Sequence, residues 1–82
     1  EGNHMTLTLD RMRADVASAI RMDPSDIRDD DHLGDLGLDS LRLMRLVLAW
    51  EEAGLTADFS LFAEYETLGD WWTHIVAPAA DA

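Results

Sequence analysis

Residues 33–53 read Leu-Gly-Asp-Leu-Gly-Leu-Asp-Ser-Leu-Arg-Leu-Met-Arg-Leu-Val-Leu-Ala-Trp-Glu-Glu-Ala, and this stretch decides the fold. From Ser40 to Ala53 it contains strong helix formers and no breaker, and Gly54 follows where a helix ends in a left-handed residue. At about 100° per residue, Leu43, Leu46, Val47 and Trp50 share one face, with Ala53 just beside it, as a core-facing stripe requires. Leu41, Met44 and Leu48 form a second apolar stripe, and Arg42, Arg45, Ala49 and Glu52 mark a third, polar face. A small domain has difficulty burying two faces of one helix. Either the preceding loop or the last helix covers the second stripe, or it is a docking surface on which adaptable Met and partly exposed Leu are useful.

Ser40 stands where an Asp-rich loop meets this helix. Two roles compete there. Asp39 or Ser40 can simply cap the helix, as such residues commonly do. Alternatively, the free N–H groups and positive dipole end favour a phosphodiester attached to an exposed serine hydroxyl, with Gly37 permitting close backbone approach.

Outward from this junction, residues 23–38 contain Pro24, Gly34, Gly37 and repeated Asp, with Ile27, Leu33, Leu36 and Leu38 spaced among them. This is a long ordered loop pinned by four apolar anchors, and loops of such length are uncommon unless functional. Upstream, Leu9, Met12, Val16 and Ile20 recur at helical spacing with no Gly or Pro over residues 7–22, predicting a first helix that ends before Pro24. Downstream, residues 58–65 predict a short helical turn, and Thr67-Leu68-Gly69-Asp70 a capped start to a last helix over Trp71 to Val76. Of the adjacent Trp71 and Trp72, one is expected in the core and the other at its rim, and one of Phe59 and Phe62 in the core. The expected fold is all-α: a four-helix bundle with a short third helix and a long first loop.

The chain has 82 residues, enough for one domain and one modest core. Residues 1–4, Glu-Gly-Asn-His before Met5, read as an expression scar, residues 5–77 as the domain and residues 78–82 as a flexible tail. Hydrophobic residues make up 48%, which argues against disorder, although seventeen acidic residues against six Arg leave a net charge of −11. Nucleic acid and anionic membrane are therefore poor partners, and basic protein surfaces better ones. No apolar run approaches the roughly 20 residues of a membrane span. The absence of Cys removes disulfides, thiolate metal sites and cysteine nucleophiles, and fits a cytoplasmic setting. Asp29-Asp30-Asp31 lacks the alternating ligand spacing of a calcium loop, and His32 and His74 have no metal-ligand partners at suitable spacing, so no metal site is expected. Nothing in the sequence supports a catalytic triad or carboxylate pair, and no catalysis is expected.

The stretch from Leu33 to Leu41 resembles the phosphopantetheine attachment motif of acyl and peptidyl carrier proteins, whose hallmark is an L-G-x-D-S-L core. The resemblance spans nearly the whole natural chain. It is nearest to the aryl carrier domains of nonribosomal peptide synthetases, notably those of siderophore assembly. The residues that carry this are Asp39-Ser40-Leu41-Arg42-Leu43-Met44, then Trp50, then Phe59-Ser60-Leu61-Phe62-Ala63, then Thr67-Leu68 and Trp71-Trp72. Fatty-acid carriers typically have an acidic second helix, so Arg42 and Arg45 depart from that branch.

The resemblance implies an acyl-carrier-like bundle with a covalent 4′-phosphopantetheine on Ser40, and Asp39 helping a phosphopantetheinyl transferase engage coenzyme A and metal. It implies a non-catalytic monomer that receives an aryl or aminoacyl group from an adenylation enzyme. Met44, Phe59 and Ala63 would dock on a condensation domain, and Leu41, Arg42, Arg45 and Leu48 complete the expected partner surface. Two alternatives stand beside this: a carrier of an amino acid or polyketide unit, and an unmodified acidic helical adaptor in which Ser40 is only a cap.

Overall fold

The computed structural model describes residues 7–80 of the chain, so the expected scar at residues 1–4, including His4, and the last two tail residues lie outside it. The first helix, α1 (Leu9–Ile20), starts where the Thr8 hydroxyl accepts from the Arg11 N–H and buries Met12, Val16 and Ala17. It stops at Arg21, held at φ 60, where the Met22 N–H closes onto the Ala17 carbonyl.

The second helix, α2 (Ser40–Glu52), buries Leu43, Leu46, Val47 and Trp50, the four residues of the predicted core stripe. Ala53, placed beside that stripe by periodicity, is exposed because the helix is already turning away there. Gly54, at φ 115, lets the Gly54 N–H reach Glu51 and the Leu55 N–H reach Trp50, satisfying carbonyls that the helix end would otherwise orphan. Leu55 then folds into the core. The short α3 (Phe59–Glu64) contributes Phe62 to the core and leaves Phe59 half-buried.

The last helix, α4 (68–80), joins an α-turn Leu68–Trp71, a π-turn Trp72–Val76 and an α-turn Ala77–Ala80. Thr67 caps it by accepting from the Asp70 N–H. It therefore begins three residues before the predicted Trp71 and continues past Val76 through Pro78, where a tail was expected. The π-turn explains the extension: the Ala77 N–H bonds back to Trp72, and the widened turn accommodates a proline that lacks an N–H of its own. Trp71 is core and Trp72 is rim.

Three aromatic rings join these helices. Trp50 and Phe62 lie 5.6 Å apart, Phe62 and Trp71 5.3 Å, and Trp50 and Trp71 6.1 Å, the last two pairs edge-on. Both indole N–H groups are satisfied. Trp50 donates to Asp15 on α1 at 2.9 Å, and Trp71 to the carbonyls of Phe62 and Tyr65.

The loop between α1 and α2 contains 3₁₀ turns at Pro24–Asp26 and Leu33–Leu36. Ile27 and Leu33 are fully buried anchors, whereas Leu36 and Leu38 are only partly buried. Backbone groups supply the rest of the hold: Arg13 donates to the Ile27 carbonyl and pairs with Asp29, the Gly69 N–H donates to Asp29, and the Leu33 N–H donates to Glu66. The loop is thus tied to α1, to the α3–α4 link and to the start of α4, which fixes the position at which α2 begins. Among the described residues the fold is the expected all-α, acyl-carrier-like bundle of four helices, with no strand and no helix long and apolar enough to cross a membrane.

Candidate functional site at the start of the second helix

The loop delivers Ser40 to the first position of α2 by a tight sequence of bonds. The Leu33–Leu36 turn ends at Gly37, whose φ of 116 reverses the chain while its N–H bonds to Gly34 and the Leu38 N–H returns to Leu33. A Cβ on Gly37 would meet nothing of this chain within 4 Å, so within the fold its glycine serves the left-handed backbone.

Asp39 is the N-cap. One carboxylate oxygen accepts from the Arg42 N–H at 2.9 Å and the other from the Arg42 guanidinium at 2.6 Å. These donors, first the Arg42 backbone N–H and then its charge, hold the Asp39 carboxyl below its ordinary 3.8. Ser40 is thereby released from capping and is exposed. Asp39→Ala is expected to lower the thermal midpoint by a few degrees at neutral pH. Because the folded-state pKa is depressed, the cap contributes fully above the unfolded value and is lost as pH falls through the lowered one, so the gap between wild type and variant closes below about pH 4. Melting curves across that range check this.

A cleft of about 230 Å³ opens at Ser40, walled by Leu38, Leu43, Phe59, Ala63 and Tyr65 with Glu66 at the side. Four sequence-predicted residues, Asp39, Ser40, Phe59 and Ala63, meet at this cleft. Leu41, Met44 and Leu48 lie outside it as a ridge along α2, 58%, 45% and 54% exposed, so neither the loop nor α4 covers the second stripe. Arg42 and Arg45 are exposed on the same helix. Tyr65 and Glu66 were not singled out by sequence, since neither sits in a periodic stripe or motif. An exposed hydroxyl at a helix start beside an open, largely apolar cleft suits attachment of a flexible phosphodiester-linked arm. His32 pairs with Glu66 at 2.8 Å, and the His74 ring stacks on Tyr65. No group of metal-ligating side chains forms among the described residues.

Comparison with known proteins follows the same residues. Residues 10–75, which include Ser40, match the model of the family described as "Phosphopantetheine attachment site". The chain is similar to the acyl carrier protein ScoB of Streptomyces coeruleorubidus, 36% identical over 66 residues that cover 80% of this chain and 78% of that one. It is similar to the isochorismatase of Bacillus subtilis (strain 168), 36% identical over 70 residues, or 85% of this chain and 22% of that protein. It is also 43% identical over 44 residues to enterobactin synthase component B of Escherichia coli (strain K12), or 54% of this chain and 15% of that protein. This chain thus spans under a quarter of the last two relatives. No solved structure matches.

Proposed function

The chain belongs to the phosphopantetheine-attachment family of carrier domains, and on that premise we propose that Ser40 bears the arm of a nonribosomal, siderophore-type aryl carrier. The observation that carries the proposal is the position of Ser40. It is exposed, first in α2, freed from capping by Asp39, and at the mouth of the cleft. The remaining described serines lack that setting: Ser18 and Ser60 lie within α1 and α3, and Ser25 donates to Asp23. When attached, phosphopantetheine supplies a terminal thiol that holds an acyl group as a thioester.

The protein's own part is positioning. It catalyses nothing itself, acts as a monomer, and shuttles an aryl or aminoacyl group between an adenylation enzyme and a condensation domain. Tethering raises the local concentration of the acyl group at each partner, and weak docking lets the carrier leave. Asp39 meets the transferase, for which its bond to the Arg42 side chain must open; an exposed pair of this kind is weak enough to allow that. Similarity to a component of enterobactin synthase supports the nonribosomal reading, and a carrier of an amino acid or polyketide unit is the second one. Loading the modified protein against a panel of aryl acids, amino acids and polyketide units separates them. Thioester on aryl acids is the expected result, and loading confined to amino acids or polyketide units would replace the aryl assignment.

Met44, on the exposed ridge, together with Phe59 and Ala63 at the cleft, is assigned to the condensation partner. Met44→Asp is expected to leave modification of Ser40 intact and to lower transfer to a condensation domain roughly tenfold or more, as for an anchor worth over 1 kcal/mol. Equal transfer by the variant would remove Met44 from the interface.

A further inference from the structure

The whole chain and the flank of its functional helix differ in the sign of their charge. The net charge is −11, yet next to the exposed ridge of α2 stand Arg42 and Arg45. Going round the helix from Met44, at about 100° per residue, one meets Leu48 and Leu41, then Arg45, then Arg42. One half of the exposed surface is apolar and the other cationic. Two carboxylates lie on this side: Asp39, bonded to Arg42 at the start of the helix, and Glu52, seven residues past Arg45 and about 10 Å further along the axis. Arg42 also shares a hollow of about 120 Å³ with Ala19, Ile20, Arg21 and Gly37, which brings the end of α1 and a third guanidinium to the same flank.

Folding accounts for Arg42, which pairs with Asp39 at the helix cap, but not for Arg21 or Arg45. Arg11, Arg13 and Arg42 pair with Asp15, Asp29 and Asp39. Among the described residues Arg21, Arg28 and Arg45 have no carboxylate at ion-pair distance, in a chain with seventeen acidic residues to choose from. Arg45 has Leu41, Arg42, Leu48 and Ala49 at its three- and four-residue neighbours, so its helical context offers only like charge, which is unfavourable. At about 0.1 M salt the Debye length is about 10 Å, so a partner at this flank responds to the nearby guanidiniums more than to remote carboxylates.

We infer that Arg21, Arg42 and Arg45 form a second docking half, which receives a carboxylate-bearing face of the adenylating enzyme that loads the arm. The apolar half, Met44 with Phe59 and Ala63, is left to the condensation partner. The inference rests on the reading of Ser40 as the attachment point, and it reverses, at this flank, the basic partner surface that net charge alone suggests.

The test uses the modified protein and the adenylating enzyme identified by the loading panel. Loading kcat/KM is measured at about 50 mM and about 500 mM salt for wild type, Arg45→Glu, Arg45→Lys, Arg21→Glu and the control Arg28→Glu, with circular dichroism verifying the fold. Arg45→Glu and Arg21→Glu are expected to lose roughly tenfold or more at low salt through KM, with kcat kept and the loss shrinking at high salt. Arg45→Lys should load nearly as wild type, and Arg28→Glu, the same change in net charge elsewhere, should change less than about twofold. Arg45→Glu behaving as Arg28→Glu, or loading faster than wild type, overturns the inference. So does a wild-type dimer that Arg45→Glu dissolves, which would assign the patch to a second copy. Mass analysis of Ser40 comes first: a chain that is never modified sinks the carrier reading, whereas a loaded chain indifferent to Arg45→Glu sinks this inference alone.

Discussion

Ser40→Ala protein is expected to remain folded and to gain no mass when incubated with a phosphopantetheinyl transferase and coenzyme A. The reason lies in the division of labour at the start of α2. Asp39, not Ser40, makes the capping bond to the Arg42 N–H, and the first backbone bond of the helix runs from the Leu43 N–H to the Asp39 carbonyl. Removing the Ser40 hydroxyl leaves both intact, and alanine is a better helix former than serine. Stability should therefore change by about 0.5 kcal/mol or less. Loss of modification is all or none because the hydroxyl is the acceptor. A variant that unfolds would mean that Ser40 holds the structure, and a variant still modified would move the arm to another serine. In an unmodified adaptor, by contrast, the substitution would leave partner binding unchanged.

The second large effect is structural. Trp71→Ala removes a fully buried indole from the ring trio and leaves the Phe62 and Tyr65 carbonyls without their donor. The expected loss is about 3–5 kcal/mol. Domains are stable by only about 5–15 kcal/mol, and a small one has little reserve, so the variant should be partly unfolded in mild denaturant. Trp71→Phe keeps most of the packing and loses the N–H donor, at a cost of about 1–3 kcal/mol. Urea unfolding followed by circular dichroism distinguishes these, and equal midpoints for wild type and Trp71→Ala would refute the central role given to the trio. Trp71 also lines the cleft beside Ser40, so the same variant should modify slowly.

Much of this was legible in the sequence because period and punctuation carry it. The stripe Leu43, Leu46, Val47 and Trp50 is buried as its spacing requires, and Gly54 ends α2 with the left-handed turn its position predicts. Thr67 caps α4, yet the helix starts at Leu68 because Gly69 and Asp70 continue the first turn. The end of α4 was not legible: proline normally reads as a stop, and only the π-turn before it lets the helix pass. Nor could spacing decide the second stripe of α2, since exposure depends on where the loop goes. That path is set by Arg13, Asp29, Glu66 and Gly69, which are distant in sequence and joined largely through backbone atoms. That Arg21 and Arg42 line one hollow was not legible for a similar reason, as only the packing of α1 against the loop brings them together. The position of Ser40 was readable because one short motif contains both the turn and the cap.

The central claim is that Ser40 carries the arm, and the most direct test is intact mass before and after incubation with a broad-specificity phosphopantetheinyl transferase and coenzyme A. A single phosphopantetheine added, mapped by fragmentation to Ser40, is the predicted result. Folded protein that gains no mass, or gains it at another residue, would contradict it.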